Sequence, residues 1–160
     1  MEEKFKREML RHTVATVAYR GGKAIKDAPE GFGNFKASET TRTPLEILAH
    51  VGDLFDWALS MAKGKTVWND KKPLPWDEES KRFYETVKAF DDFLASDEAI
   101  AKPTEKLFQG PVADALAHFG QINILRRIFD APIKGENYFR AEIEIGRVGE
   151  NQSANRVEFD

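Results

Sequence analysis

The chain contains no cysteine among its 160 residues, and this absence narrows the chemistry open to it. Disulfides, thiolate metal ligands and cysteine nucleophiles are all excluded, so any metal ion must be held by nitrogen and oxygen atoms. Only three histidines are present to supply nitrogen. A metal site in this protein must therefore use one or more of these three imidazoles together with carboxylates.

An excess of basic charge and long apolar runs are also lacking. The net charge is -3, which argues against the broad basic face that phosphate-backbone binding requires. No apolar run approaches the length of a membrane span, and the charged N-terminal stretch 1–12 lacks the apolar core of a signal peptide. We therefore expect no nucleic-acid partner, no membrane partner and a cytoplasmic location.

The composition is that of a globular protein, with 41% hydrophobic and 32% charged residues. A chain of this length fits one domain, which we place over residues 1–160. Its core is expected over about residues 2–130 and a C-terminal tail over 131–160, since the helical periodicity described next stops near Asp130.

Apolar residues recur at helical spacing in four segments. These segments are residues 2–28, 43–63, 76–95 and 110–130. The second has the clearest start, because Thr43, Pro44 and Glu46 form the sequence of a capping box with proline at the first helical position. The connections at 29–42, 64–75 and 96–109 are predicted to be loops. Four helices with long connections predict an all-α four-helix bundle.

The tail shows a different pattern. Phe139, Ala141, Ile143 and Ile145 alternate with polar or charged residues, which is typical of an extended strand. No second strong strand is predicted as a partner. We therefore expect an extended C-terminal tail that lies across the bundle or pairs with another subunit, with its last ten residues loose.

Three side chains on two predicted helices suggest a metal site. His118 lies in the apolar seam of the fourth helix, and Asp114 lies one turn earlier on the same side. His50 flanks the seam of the second helix. Three nitrogen or oxygen ligands leave a divalent ion with open positions for water and substrate, the arrangement of catalytic sites. His12 falls opposite the apolar stripe of its helix and should face solvent.

Each neighbouring candidate has a structural alternative. Asp53 is an alternative oxygen ligand or a hydrogen-bond partner of a ligand, and Gln121 either orients a ligand or is an ordinary surface residue. Arg126 either binds an anionic substrate or complements the helix dipole. Trp57 either lines the mouth of a pocket or packs in the core. His118 itself could be a hydrogen-bonded core residue. No residue is assigned as a catalytic base.

The segments TPLEILAHVGDLFDW, which contains His50, and DALAHFGQINILRR, which contains His118, resemble the DinB-like superfamily of four-helix proteins. The tail segment APIKGENY is similar to part of that superfamily. The resemblance implies an up-down-down-up bundle, a homodimer, and a divalent ion such as zinc or nickel, with iron or manganese as further options. The ion is typically held by three histidines, and Asp114 stands here where the family usually has one of them. Related mycothiol-dependent isomerases are similar in having an acidic residue at that position.

The resemblance implies an enzyme in which the metal activates a low-molecular-weight thiol or water for transfer to, or hydrolysis of, a small molecule. Such a protein would be a thiol S-transferase or a hydrolase. One alternative is a non-catalytic bundle with a structural or vestigial metal pocket that acts in dimerisation or partner binding. Another is a mononuclear iron oxygenase with two histidines and one carboxylate.

Overall fold

A computed structural model describes residues 1–159 and shows an all-α bundle with a short C-terminal tail. Four long helices build it. They are α1 (Glu2–Ile25), α2 (Pro44–Ala62), α3 (Trp76–Ala95) and α5 (Ala113–Ile128). A one-turn helix α4 (Thr104–Leu107) and a π turn (Phe108–Val112) lead directly into α5.

The first and third helices run antiparallel. Near the start of α1, Arg11 forms a bidentate pair with Asp91 near the end of α3, with both N–O distances at 2.9 Å. Near the end of α1, Gly21 faces the ring of Phe83 in the first half of α3. The chain therefore reverses direction between α1 and α3.

The second and third helices run parallel. The guanidinium of Arg82 donates to the carbonyl oxygen of Ala49 at 2.7 Å, and further along both helices the rings of Phe55 and Phe90 lie 6.1 Å apart. Contacts thus advance along both helices together. A parallel pair of consecutive helices needs a long connection, and residues 63–75 supply it.

The last long helix runs parallel to the first. Gly21 of α1 contacts the ring of Phe119, and the guanidinium of Arg126, two turns later in α5, donates to the carbonyl oxygen of Ala24 at 3.2 Å. With α2 and α3 opposite in direction to α1, the course is up-down-down-up. The expected all-α four-helix bundle is confirmed.

Helix α2 begins where the sequence predicts. The Thr43 hydroxyl accepts from the Glu46 amide at 3.2 Å, and the Glu46 carboxylate accepts from the Thr43 amide at 2.7 Å. Pro44 occupies the first helical position. This reciprocal capping satisfies two backbone donors that the helix itself cannot pair.

The core is formed by the apolar faces of the four long helices, and it includes Phe55 and Phe119, which the predicted stripes left out. Fully buried members include Val14 and Val17 of α1, Val51 and Phe55 of α2, Phe83, Val87, Phe90 and Leu94 of α3, and Ala115, Phe119 and Ile122 of α5. A Cβ atom at Gly21 would lie 2.5 Å from Cζ of Phe119 and 2.9 Å from Cζ of Phe83. Gly21 is therefore required for the close approach of α1 to these two rings.

Two predicted boundaries are wrong. The predicted loop 96–109 contains α4. Pro103 lies directly before the first residue of α4, where a missing backbone N–H costs nothing, so this proline does not prevent a helix. The predicted helix start, Gly110, falls within the π turn, and α5 begins after that turn at Ala113. Pro111 cannot donate a backbone hydrogen bond, which is consistent with a widened turn at this point. The turn ends two residues before Asp114.

The predicted strand over residues 139–145 does not form. A 3-10 turn occupies Tyr138–Arg140, and the side chain of Phe139 is fully exposed. The tail instead pairs with itself, because β1 (Gly135–Glu136) and β2 (Glu158–Phe159) are antiparallel. The expectation of loose final residues is therefore wrong for residues 158 and 159.

A buried ion cluster explains why the tail folds back. The Glu136 carboxylate accepts from the Tyr19 hydroxyl, from Nζ of Lys23 at 2.8 Å and from Nη1 of Arg156 at 3.4 Å. Lys23 also pairs with Glu158 at 3.0 Å. These contacts attach both tail strands to α1. The polar and charged residues that form these contacts show no distinctive pattern in the sequence. The apolar pattern alone therefore could not predict that they pair.

Among residues 1–159, no helix is both long and apolar enough to cross a membrane.

Candidate metal centre

The structure brings the three predicted metal ligands together where α2 crosses α5. Nε2 of His50 lies 3.7 Å from Oδ2 of Asp114, and Nε2 of His118 lies 3.5 Å from the same oxygen. The two imidazole rings meet edge to face with their centroids 4.7 Å apart. One ligand atom from each residue lies within 4.8 Å of the other two. Antiparallel α2 and helical spacing in α5 together produce this arrangement.

These separations fit a shared divalent ion. Metal–nitrogen and metal–oxygen bonds of roughly 2.1 Å in a tetrahedral site place neighbouring ligand atoms roughly 3.4 Å apart. Both histidine–aspartate separations, 3.5 and 3.7 Å, are close to that value. The histidine–histidine separation lies within 4.8 Å, so the ring of His50 or His118 needs only a small rotation. The donor set could therefore hold a metal ion through nitrogen and oxygen ligands.

The orientation of His118 favours a cation at this position. Its Nδ1 atom lies 3.2 Å from Oε1 of Gln121, and this amide oxygen accepts a hydrogen bond when Nδ1 carries the hydrogen. In the neutral ring, Nε2 then has a free lone pair and faces the Asp114 carboxylate. Gln121 thus orients a ligand, which is one of its two predicted roles.

The electrostatic environment favours neutral His50. Burial lowers the pKa of this imidazole, and the positive charge of Arg42 acts in the same direction. The carboxylate of Asp114 opposes them but does not outweigh them. A neutral imidazole is the form that binds a metal ion. His50 is therefore available as a ligand without first losing a proton at neutral pH.

The site is open on one side. The side chain of Asp114 is 48% exposed, whereas those of His118 and His50 are 12% and 22% exposed. The two imidazoles form the sheltered part of the site and the carboxylate forms its solvent side. A small molecule can therefore approach past Asp114 without any movement of the bundle.

Aromatic residues form one wall beside His50. The ring of Trp68 lies 5.6 Å from His50, and Trp57 packs against Trp68 at 5.7 Å. Nζ of Lys71 donates to Oδ2 of Asp56 at 2.7 Å, which holds the 63–75 connection over α2. Trp57 therefore contributes to the mouth of the site through Trp68. Trp76 lies elsewhere and packs on Phe32 at 5.5 Å.

Asp53 faces the third helix and is not among the three converging ligands. Its Oδ1 atom accepts from Nη1 of Arg82 at 3.0 Å, and its Oδ2 accepts from the Lys71 amide at 3.4 Å. Burial raises the pKa of Asp53, and the charge of Arg82 opposes that rise. The carboxylate thus ties α2 to α3 and to the connection between them. It shares a small pocket of about 210 Å³ with His50 but does not bond to it.

Arg126 is buried at the C-terminal end of α5, away from the ligand triad. Its guanidinium donates to the backbone oxygens of Ala131, Ala24 and Lys26 at 2.7, 3.2 and 2.9 Å. Burial lowers the pKa of Arg126, with Asp27 opposing. These contacts close the ends of α1 and α5, where carbonyl groups lack helical partners. This placement agrees with the structural alternative for Arg126.

Arg42 is a further residue beside the site that was not predicted from the sequence. Its side chain lines both the pocket beside His50 and a larger groove of about 760 Å³ that includes His118. Arg42 lies two helical turns before His50, in register with Glu46 and His50 at intervals of four residues. This four-residue spacing is the sequence signal that relates Arg42 to His50, although Arg42 lies just before the capped helix. Its place beside both imidazoles could not be predicted without the course of loop 29–43.

Comparisons with family models, curated proteins and solved structures give no match for this chain.

Proposed function

We propose that this chain is a divalent-metal-dependent enzyme of the DinB-like type, which acts on a small molecule with a low-molecular-weight thiol or water as the attacking group. One observation carries the proposal: donor atoms of His50, Asp114 and His118 converge within 4.8 Å of one another from two adjacent helices. The segments around His50 and His118 that resemble the superfamily support it as well. The same resemblance supports a homodimer.

Each residue has a role that follows from its surroundings. His50 and His118 provide neutral nitrogen donors, and Asp114 provides the negative charge that makes the site selective for cations. Gln121 fixes the ring of His118 with Nε2 toward Asp114. Trp68 shields one side of His50 from water. When bound, a divalent ion at such a site lowers the pKa of a thiol or of water, so that the reactive anion forms at neutral pH.

A turnover assay tests the proposal. The purified chain is stripped with a chelator, reconstituted in parallel with zinc, nickel, iron or manganese, and supplied with mycothiol, bacillithiol or glutathione and an electrophile such as 1-chloro-2,4-dinitrobenzene. A parallel reaction with p-nitrophenyl acetate and no thiol measures hydrolysis. We expect activity in at least one metal-loaded sample, and its loss in His118→Ala and Asp114→Ala.

His12→Ala is the matched control, because His12 is exposed on α1 and outside the triad. It should retain full activity. Equal turnover in the stripped, loaded and His118→Ala proteins would contradict metal-dependent catalysis. Metal binding without turnover for any thiol or ester would instead favour the alternative, a non-catalytic bundle with a structural or vestigial metal pocket.

A further inference from the structure

A groove beside the ligand triad has an apolar floor that no part of the described chain covers. It lies between α5 and the loop before α2, and its volume of about 760 Å³ is in the range of small-molecule sites. Ile124 and Ile128 project into it from α5, and each is 58% exposed. Ile47 and Leu125 form the deeper part. Two large exposed aliphatic side chains one turn apart provide a surface suited to an apolar ligand.

The side chains that line this groove carry positive charge and no negative charge. Its lining residues include Arg42 and no aspartate or glutamate. Within residues 1–159, Arg42 forms no ion pair, whereas Arg11 and Arg82 are each paired with buried carboxylates. Glu46 lies in the smaller pocket on the other side of Arg42, and its carboxylate is held by the Thr43 amide. The guanidinium is therefore free to bind an anionic group from the groove.

The groove ends at the proposed metal centre. His118 and Gln121, which hydrogen-bond to each other, both belong to its lining. Arg42 separates the groove from the pocket beside His50. A molecule lying on Ile124 and Ile128 thus has an arginine and a candidate metal ligand within the same cavity. The aliphatic residues, the cation and the triad would contact different parts of one ligand.

We propose that this groove binds the substrate, and that the substrate is a small organic anion with an apolar body, such as an aryl or branched-chain carboxylate or sulfonate. The apolar body lies on Ile124 and Ile128, and the anionic group pairs with Arg42. The assignment of this ligand as the substrate rests on the proposed function. The binding itself does not, since it requires no metal.

Two fluorescent probes with the same aromatic body test the assignment. One is 8-anilino-1-naphthalenesulfonate, and the other is N-phenyl-1-naphthylamine, which lacks the sulfonate. Each is titrated into chelator-treated protein. Ile124→Ser should weaken both probes, whereas Arg42→Gln should weaken the sulfonate by about fivefold and leave the neutral probe unchanged, as expected for a partly exposed ion pair.

Matched variants identify the site and the charge. Arg127→Gln removes an exposed arginine of α5 outside the groove, and should leave both affinities unchanged. Met9→Ser alters a second apolar groove formed by Phe5, Met9 and Phe108, and should also have no effect. Circular dichroism and a thermal melt of each variant establish that the probes report on folded protein.

Three outcomes would overturn the inference. These are equal sulfonate affinity in Arg42→Gln and wild type, loss of binding in Met9→Ser but not in Ile124→Ser, and a dimer that Ile124→Ser converts to monomer in sedimentation velocity. The last would make the groove an interface between two copies. His50→Ala separates this inference from the proposed function, because His50 lies outside the groove. Retained sulfonate binding in this variant without metal binding supports the groove whatever the fate of the enzyme proposal.

Discussion

Nδ1 of His118 and Oε1 of Gln121 lie 3.2 Å apart on the same face of α5. This contact holds the ring of His118 with Nε2 pointing away from Gln121. Nε2 is the atom that faces Asp114 at 3.5 Å. An exposed glutamine thus determines which nitrogen of the neighbouring histidine is available to a metal ion.

Gln121→Leu should weaken zinc binding by about tenfold or more, the usual effect of removing a hydrogen bond that orients a ligating histidine. The measurement is a competition titration against a chromophoric chelator. Gln121→Glu keeps an acceptor at the same position and should bind zinc at least as tightly as wild type. Equal affinity in Gln121→Leu and wild type would show that the contact does not orient His118.

Arg82→Met should destabilise the bundle by about 3–5 kcal/mol, the cost of leaving buried charges without their partner. Arg82 donates to the fully buried Glu79 at 2.8 Å and to Asp53 at 3.0 Å. The free energy of unfolding in urea measures the loss. Lys81→Met is the control, because Lys81 forms only an exposed pair with Glu85 at 3.7 Å, and it should change stability by less than about 0.5 kcal/mol. Similar losses in both variants would contradict this account.

Gly21→Ala and Gly120→Ala should have opposite effects on stability. A Cβ at Gly21 would overlap the rings of Phe119 and Phe83, which costs about 1–3 kcal/mol in a packed core. A Cβ at Gly120 meets no atom within 4 Å, so the better helix propensity of alanine should stabilise by about 0.5–1 kcal/mol. Thermal denaturation of the two variants gives the comparison. Tolerance of alanine at Gly21 would mean that α1 and α5 are further apart than described.

The stability of the metal-free protein should depend on the protonation of His50. The pKa of this imidazole is lowered by folding from an ordinary value of 6.5, so the folded state favours the neutral ring. The neutral ring of His50 contributes fully to the free energy of unfolding at pH values above 6.5. This contribution is lost as the pH falls from 6.5 towards the lower pKa of the folded state. Urea midpoints between pH 7.5 and 5 should therefore fall less in His50→Gln than in wild type. His12→Gln, altered at an exposed position, should follow wild type, and identical curves for all three proteins would contradict the lowered pKa.

The bundle could be predicted because its signals are local. The capping sequence at Thr43 and Glu46 specifies the start of α2, and the periodic apolar residues of α5 specify its buried face. His50, Asp114 and His118 could be grouped for the same reason, since helical spacing places Asp114 and His118 on one side. The resemblance to the DinB-like superfamily supplied the up-down-down-up course, which periodicity alone does not determine.

The tail and the groove could not be predicted because they depend on contacts between distant segments. Glu136 is buried only because Tyr19, Lys23 and Arg156 surround its carboxylate, and these residues are far apart in sequence. The alternating pattern from Phe139 onwards lacks a partner strand, so its period of two did not lead to a strand. The position of Arg42 beside the groove likewise depends on the path of the loop before α2.

The metal content of purified variants shows whether His50, Asp114 and His118 hold an ion. Wild type, His50→Ala, His118→Ala and His12→Ala are stripped, dialysed to equilibrium against zinc or nickel, and measured by inductively coupled plasma mass spectrometry. We expect about one ion per chain in wild type and His12→Ala, and nearly none in the other two, because a site with three protein ligands does not hold its ion well with two. No bound metal in wild type, or equal metal in all four proteins, would contradict it.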